Sequence, residues 1–444
     1  MNKYKFKQML NMKKLALGLV LLGSTTSWSQ SVILDLETCL KMADTANLSI
    51  KNARLDVAIN EKQVDVYMTA RYPKVSLSGD YRYNAIIPGQ VVPAAIFGGA
   101  PGTFTTLAFG VPINLSNTVQ LTQVLYNPQI NYGLNAINIQ QKIIETQQLI
   151  AERDAKQQVA SAYFNLQAMT KQLVFIDQNL ENINKLIKNM QAMNREGLVI
   201  GTEVDKLEIS KLSLENQKQS LTASKLQLEN LLKIQIGLDP KTTIQLASDE
   251  LIQKTILVDG TSINHPELDL IAAQKEMNEE ERGGTNMSYL PSVAGYAAYS
   301  YNYNIDPEND FRTGIEAAFL GIKLDWTLFD GFEKYRKNRV NALNRVKIEN
   351  SENLLTQQLD MQVENAQRQI GIQTSSLDIA KKQLELSERI MKQTEAQFQQ
   401  GTISSNDYIQ TQNSLFQSQT NVVVSYVSLR QAELEYLKSI GQIK

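Results

Sequence analysis

Cysteine and histidine are almost absent from this sequence, which has one of each in 444 residues. A single cysteine cannot form an internal disulfide. Cys39 lies on an apolar helical stripe, in "LDLETCLKMA", so we expect a small buried core residue rather than a reactive thiol. The sequence also lacks a metal-spaced cluster of ligands, a phosphate-binding loop and a nucleophile elbow. We therefore expect no catalytic, cofactor-binding or metal site and no enzymatic activity.

Long apolar runs and an excess of basic charge are missing as well. Beyond the first 30 residues no run of about 18 apolar residues occurs, so the sequence predicts no transmembrane helix. The net charge of −2 argues against a nucleic-acid partner, because proteins that bind nucleic acid usually carry a basic footprint.

The N-terminal residues have the order of a secretory signal. A pair of lysines precedes the apolar run "LALGLVLLG", which is followed by the small polar stretch "STTSWSQ". We predict a signal peptide over residues 1–30 with cleavage after Ser29, and Met1 and Met12 are alternative initiators. Removal of these residues, which include five lysines and no acidic residue, takes the net charge from −2 to −7.

The rest of the sequence contains a duplication. The stretch "RYPKVSLSGDYRYN", from Arg71, corresponds to "YLPSVAGYAAYSYNYN", from Tyr289, and "GLVIGTEVDKL", from Gly197, corresponds to "GTISSNDYIQ", from Gly401. Each half predicts a helix, a strand, a loop, a strand, a very long helix, a tight turn and a second long helix. We predict a first repeat over residues 31–237, an inter-repeat linker over 238–264 and a second repeat over 265–444. The predicted strands lie at about 73–84, 115–126, 291–304 and 317–329, and the predicted long helices at 128–196, 202–236, 331–400 and 405–440.

Apolar and polar residues alternate in the predicted strands. In "FLGIKLDWTLF", Leu320, Ile322 and Leu324 fall on one face, and Lys323 and Asp325 fall on the other. This period of two predicts a sheet with one apolar and one polar face, as in a soluble sandwich or a transmembrane barrel. Four strands per chain are too few to close a barrel, and an open edge in lipid would leave backbone groups unpaired. A membrane barrel would therefore require several chains.

The two predicted loops between strands differ in composition. The first is rich in glycine and proline, and no charged residue occurs from Tyr83 to Gln141. The second, "NYNIDPENDFR", is short and acidic. Both patterns predict surface loops, and the first either covers the mouth of the barrel or is simply flexible.

Heptad patterns indicate that the long helices pack in pairs. Leu166, Leu173, Leu180 and Ile187 recur at intervals of seven residues, which is typical of a left-handed coiled coil. The other faces carry mainly Gln, Asn, Ser and Lys, so these helices suit a tube or a rod with water on both sides. Two turns, "NREGLVIGTEVD" and "QQGTISSNDY", reverse the chain. Gly197 and Gly401 fit C-cap positions, Thr202 and either Ser404 or Ser405 fit N-caps, and Glu203 and Asp407 fall in the first helical turn, where the helix dipole favours a carboxylate.

Taken together, these features resemble the TolC-like outer-membrane factors of Gram-negative efflux and secretion systems. The motifs that carry the resemblance are the signal sequence, the duplicated halves, "YP" or "LP" before a strand, "LFDG" after the second strand, and G-T-x-x-x-x-D-Y at the helical tip. The resemblance implies an α+β membrane protein whose duplicated helix-strand-strand-helix halves form a trimeric 12-stranded β-barrel and a long α-helical periplasmic barrel. It also implies location in the outer membrane with extension into the periplasm.

The resemblance also points to site residues at the tips. In such proteins the residues after the tip glycines line the periplasmic entrance, and carboxylates there form cation-binding rings. Gln410 stands where a second carboxylate often lies and Ile403 where a basic gate residue lies, so the closing contacts here are expected to differ. The implied entrance residues are Asp407, Glu203, Thr202 and Phe398, and the implied adaptor-docking turns are those of Gly197 and Gly401.

The function implied is that of an exit duct in a tripartite efflux or type I secretion system, which conducts substrates passively across the periplasm and outer membrane. The expected partners are two further copies of the chain, outer-membrane lipid, a periplasmic adaptor (membrane fusion) protein and an inner-membrane pump of the RND or ABC type. The alternatives are a periplasmic coiled-coil adaptor, which would carry a single hairpin, and a structural envelope rod, which would not need tyrosine-bearing strands.

Overall fold

The computed structural model describes residues 32–247, 251 and 265–442. The predicted signal peptide and most of the predicted inter-repeat linker lie outside these residues. Residues 52–151 and 265–361 form one compact unit, and the other described residues form a second. In the described part of the chain, no helix combines the length and the apolar character needed to cross a bilayer.

The main elements occur in the same order in both halves of the chain. A helix precedes two long strands, which are followed by two long helices. The helices of the described residues are α1 (Leu36–Ala46), α2 (Leu48–Met68), α3 (Pro128–Arg195), α4 (Gly201–Gln235), α5 (Pro266–Met287), α6 (Glu333–Gln399) and α7 (Ser405–Ser439). The strands are β1 (Val32–Leu34), β2 (Lys74–Tyr83), β3 (Gly89–Pro93), β4 (Phe104–Ala108), β5 (Ile113–Tyr126), β6 (Ile244–Leu246), β7 (Ser292–Asp306) and β8 (Phe311–Asp325).

A four-stranded antiparallel sheet dominates the unit of residues 52–151 and 265–361. Its strand order is β2-β5-β7-β8. The central pair joins the two halves of the chain, because β5 pairs with β7 from Ile113 opposite Ile305 to Tyr126 opposite Val293. Strands β2 and β8 form the two edges, and neither has a second partner strand among the described residues.

The register of this sheet separates an apolar face from a polar face. Because side chains alternate along each strand, aligned strands place residues of like polarity in rows across the sheet. One row of the apolar face is Leu77, Val119, Tyr299 and Ala318, and the adjacent row of the polar face is Ser78, Thr118, Ser300 and Ala317. The apolar face is exposed over much of its area, since Leu77 is 74% and Leu320 89% exposed. An exposed apolar surface of this kind requires a partner or a membrane.

Strand β8 begins and ends earlier than predicted. The expected range was about 317–329, but pairing with β7 runs from Phe311, opposite Asp306, to Asp325, opposite Ser292. The alternation of the sequence continues to Leu328, yet the next partner in this register would be Pro291. Proline has no backbone N–H to donate, so the ladder ends there.

The first loop between strands contains structure that the sequence did not suggest. Strands β3 and β4 form a separate antiparallel hairpin in which Val91 faces Thr106 and Val92 faces Thr105. These β-branched residues favour extended backbone. The hairpin keeps Phe97 and Phe104 exposed, at 62% and 68%.

The second unit is built from paired helices and a small parallel ladder. Strands β1 and β6 pair in parallel, with Leu34 opposite Leu246. Their core includes Cys39, Tyr163 and Phe164, each at most 1% exposed. Burial raises the pKa of the Cys39 thiol to about 12, so the thiol is held protonated, and the prediction of a buried cysteine is confirmed.

Candidate functional site

The turn between α3 and α4 is a tight glycine turn, here called the first tip. The Gly197 N–H donates to the Asn194 carbonyl at 3.0 Å, and the Leu198 N–H donates to the Met193 carbonyl at 2.9 Å. This pair of bonds is a Schellman motif, which satisfies carbonyls at the end of a helix. Gly197 has a φ of +75°, a conformation that residues with a Cβ adopt only at a cost.

The turn between α6 and α7, the second tip, has the same construction. The Gly401 N–H donates to the Phe398 carbonyl at 3.0 Å, and the Thr402 N–H donates to the Gln397 carbonyl at 3.0 Å. Gly401 has a φ of +70°. The two halves of the duplication thus end their long helices with the same backbone hydrogen bonds.

The two tips differ in how the next helix begins. Thr202 is not the N-cap of α4: the helix begins at Gly201, and the N-cap is Ile200, which makes no side-chain capping bond. The prediction for Thr202 was therefore wrong by two positions, because Gly201 adopts helical geometry although glycine is a poor helix former. At the second tip Ser404 is the N-cap, as predicted, and it forms a capping box with Asp407.

Asp407 is exposed, and its carboxylate is held in place by the capping box. Its Oδ2 accepts from the Ser404 hydroxyl at 2.7 Å and from the Ser404 N–H at 3.2 Å. In return, the Asp407 N–H donates to Ser404 Oγ at 3.2 Å. These hydrogen bonds to the charged form lower the pKa of Asp407. The second tip therefore presents a fixed and ionised carboxylate to solvent.

Glu203 occupies the corresponding first turn of α4, but it has a basic neighbour. Its Oε1 accepts from Lys206 Nζ at 2.7 Å, and its side chain is 21% exposed. The hydrogen bond from Lys206 is the main cause of the lowered pKa of Glu203, and the neighbouring Ser405 lowers it further. Lys206 lies three residues further along the helix, a spacing at which opposite charges interact, so this partner was detectable in the sequence.

Phe398 is buried in a core that joins both tips. It is 7% exposed, and its ring lies 5.3 Å, centroid to centroid, from that of Tyr408. Tyr408 is 1% exposed, and burial raises the pKa of its hydroxyl. This core also contains Met190 of α3 and Val204 of α4, so all four helix ends contribute to it. Sequence reasoning missed the burial of Tyr408; the signal that could have found it is the heptad interval to Leu415, another member of this core.

The six residues predicted at the tips thus fall into three structural groups. Two glycines form the turns, and two ionised carboxylates lie in the first turns of the following helices. The remaining pair differs in burial, because Thr202 is exposed and Phe398 is buried. No cluster of His, Cys, Asp or Glu able to hold a metal ion occurs among the described residues. The arrangement offers fixed negative charge at the helix ends, which can attract cations electrostatically.

Comparison with known proteins identifies the family to which this arrangement belongs. The sequence profile of the family described as outer membrane efflux protein matches residues 39–237 and 257–442, which cover both halves of the duplication. No curated protein sequence matches the chain significantly.

Several solved structures share the fold at low sequence identity. The CmeC outer membrane channel of Campylobacter jejuni is 14% identical, with 92% of this chain and 85% of that chain covered and a TM-score of 0.69. VceC, an outer membrane protein of Vibrio cholerae, is 14% identical, with 91% and 96% covered and a TM-score of 0.67. The MtrE outer membrane channel of Neisseria gonorrhoeae, in its open state, is 14% identical, with 92% and 89% covered and a TM-score of 0.68. With the family match over both repeats, these similarities show that the chain belongs to the outer membrane efflux protein family.

Proposed function

We propose that three copies of this chain form one outer-membrane duct, through which a tripartite efflux or type I secretion system passes its substrates passively. The observation that carries the proposal is the open four-stranded sheet, whose edge strands β2 and β8 lack partners in the described chain while its apolar face is exposed. Unpaired backbone groups in lipid cost several kcal/mol each. Successive strands alternate in direction, so β8 of one copy can continue the antiparallel order with β2 of the next. Twelve strands lie within the range of outer-membrane barrels.

The periplasmic entrance of this duct is proposed to lie at the tips. Three copies would bring three Asp407 carboxylates together, and the capping box keeps each of them ionised and fixed. Glu203 is the weaker candidate for a cation-binding ring, because Lys206 already compensates its charge. Thr202 is exposed beside it, whereas Phe398 would act indirectly, by packing against Tyr408 and so setting the position of α7.

The partners proposed for the duct are a periplasmic adaptor and an inner-membrane pump of the RND or ABC type. The adaptor would dock at the turns of Gly197 and Gly401, whose matched backbone geometry offers it a repeated surface. The alternative of a periplasmic adaptor or structural rod is disfavoured by the exposed apolar face of the sheet, which neither would need. The family consists of channels rather than enzymes, and no catalytic role is proposed.

The first experiment tests the assembly. The protein should fractionate with outer membranes, require detergent for extraction, migrate as a heat-sensitive trimer and form channels in planar bilayers. A monomer that stays in solution without detergent and forms no channels would overturn the duct and favour the alternatives.

The second experiment tests the entrance. Asp407→Asn keeps an oxygen that can accept the capping bonds but removes the charge, and it should weaken the block of single-channel current by divalent cations. Gln410→Glu adds a carboxylate about one turn further along and should strengthen the block. Asp205→Asn, an exposed carboxylate control just past the first turn of α4, should leave it unchanged. If Asp407→Asn formed a conducting trimer with unchanged cation block, the assignment of Asp407 to a cation-binding ring would be wrong. The proposal of a duct would not be affected.

A further inference from the structure

The apolar face of the sheet continues beyond the end of β8. Ile322 and Leu324 lie on this face and are 73% and 60% exposed. The alternation carries on to Trp326 and Leu328, which are 57% and 79% exposed although the ladder has ended. The continuation lies at the end of the sheet from which the helices leave, which is the periplasmic end in an outer membrane efflux protein.

An aromatic cluster follows at the start of α6. Phe329 and Phe332 are 73% and 62% exposed, and their rings meet edge to face with centroids 5.5 Å apart. Phe332 has a φ of +68°, a left-handed conformation that is strained for a bulky residue. Strain of this kind persists where the surrounding structure enforces it, and it is concentrated at functional positions. Here it holds a large apolar ring out of the core.

A small polar network lies on either side of this cluster in the sequence, at Trp326 and at Asp330 and Lys334. Trp326 Nε1 donates to the Tyr289 carbonyl at 3.0 Å, and Lys334 Nζ lies 4.9 Å from the centroid of the Tyr289 ring. The Lys334 N–H donates to Asp330 Oδ2 at 3.1 Å, and the two side chains form an ion pair at 3.5 Å. Lys334 and Asp330 are therefore engaged with each other, and the Trp326 indole is tied to the backbone at Tyr289.

The segment that runs from the end of β8 into α6 (residues 326–339), here called the junction, carries more basic than acidic residues. Residues 330–339 contain four basic and two acidic residues, whereas the matching first-half segment, residues 127–136, contains no charged residue. Glu333 pairs with Lys337 at 2.6 Å. Arg336 is exposed, and no acidic side chain of the described chain lies within ion-pair distance of it. Only the second half of the duplication therefore carries basic residues at this position.

We propose that residues 326–339 form a binding surface for anionic phospholipid headgroups of the periplasmic leaflet. Aromatic side chains favour the interface between hydrocarbon and water, and basic side chains near it attract anionic lipids. The planar guanidinium of Arg336 matches a phosphate oxygen pair. This inference goes beyond the proposed duct and rests only on the outer-membrane location, since it assigns a lipid class to one junction of the chain. The competing occupant, a second copy of the chain, is distinguished by the test below.

The sequence offers a direct probe, because the chain has two tryptophans, Trp28 and Trp326. Trp28 lies in the predicted signal peptide and is removed with it, so Trp28→Phe matters only if cleavage fails. In either case all tryptophan fluorescence then reports on Trp326. The detergent-purified full chain would be reconstituted into vesicles of phosphatidylcholine that contain equal fractions of either brominated phosphatidylglycerol or brominated phosphatidylcholine. We expect stronger quenching by the brominated phosphatidylglycerol, with a relative affinity that falls about fivefold when one arginine is neutralised.

Three variants separate lipid binding from a structural role. Arg336→Gln should abolish most of the preference for phosphatidylglycerol, whereas Arg389→Gln, an exposed arginine near the second tip, should leave it unchanged. Phe332→Gly removes both the ring and the strain, so it should weaken quenching by both lipids while raising the thermal stability of the assembled protein.

Three outcomes would overturn the proposal. Equal quenching by both brominated lipids in the parent protein would show that the surface does not select anionic headgroups. Absence of quenching by either lipid would show that Trp326 is covered by protein, as expected if a second copy occupies the surface. Arg336→Gln with an unchanged preference would remove the assignment of the phosphate contact.

Discussion

Two adjacent glycines of α5 provide the sharpest test of the packing beneath the sheet. A Cβ placed on Gly283 would meet no atom within 4 Å, whereas a Cβ on Gly284 would lie 2.5 Å from Cδ2 of the Tyr132 ring. The carbonyl of Gly284 also accepts a hydrogen bond from Gln129 Nε2 at 3.0 Å. Helix α3, which carries Tyr132 and Gln129, can therefore approach α5 this closely only because residue 284 lacks a side chain.

Alanine is expected to stabilise the protein at position 283 but not at position 284. Alanine is favoured over glycine in a helix by about 1 kcal/mol, and this gain applies to both substitutions. At Gly284 the Tyr132 ring would have to retreat by about 1 Å to regain ordinary contact, and overpacking of this kind typically costs about 1–3 kcal/mol. Gly283→Ala should therefore raise the free energy of unfolding by about 1 kcal/mol. The free energy of unfolding of Gly284→Ala should lie about 1–3 kcal/mol below that of Gly283→Ala.

Thermal unfolding of the detergent-solubilised protein, followed by circular dichroism, measures this difference. A Tyr132→Leu background makes room for the new methyl group, so Gly284→Ala should be less harmful there, and the non-additivity measures the clash. If Gly284→Ala proved at least as stable as Gly283→Ala in the parent background, the close approach of the Tyr132 ring to α5 would be refuted.

Four further predictions concern the tips and the buried polar groups. The pKa of Asp407 lies below its ordinary value, so its contribution to the stability of the tip should be complete above the ordinary aspartate pKa and decline as the pH falls from there to the lowered pKa. The carboxylate stays charged through the usual aspartate range, so cation block should be lost only at lower pH, and block measured across pH tests this. Ser404→Ala should cost about 1 kcal/mol in a thermal or chemical unfolding assay, and Ser404→Asp should restore most of it, because either residue can cap the helix. Gln419→Ala should lower the free energy of unfolding by about 1–3 kcal/mol, because it leaves the buried Asn179 amide without its 2.9 Å partner, whereas changing both residues to leucine should cost less than that single change. Cys39 should resist alkylation by iodoacetamide at pH 8 in the folded protein and react only after denaturation; rapid labelling of the native protein would contradict its burial.

The strands and long helices were predictable because their periodicities are local. Leu320, Ile322 and Leu324 alternate with Gly321, Lys323 and Asp325, and this period of two needs no knowledge of partner strands. Heptads such as that of Leu173 and Leu180 indicate helix pairing in the same way. The fold class followed from the family resemblance that these patterns and the duplication carry, and the family match bears it out.

Features that depend on a partner were not predictable in the same way. The end of β8 coincides with Pro291, which directly precedes β7 and would be the next partner in the register. Likewise, the burial of Phe398 depends on Tyr408, which lies across the turn. The roles of the tip residues at the entrance stay predictions, because they concern charges that only an assembly of several chains brings together.

The pairing of β5 with β7 has a consequence for how such a chain could have arisen. These central strands come from different halves, and they pair from Ile113 opposite Ile305 to Tyr126 opposite Val293, with one register shift between Val124 and Tyr126. A half-length ancestor would have had to form this same strand pairing between separate polypeptides, so that six short chains would have been needed where three full-length chains suffice. Fusion of two gene copies would make that contact permanent and leave each half free to change alone, and the hairpin of β3 and β4 and the basic start of α6 are such one-sided differences.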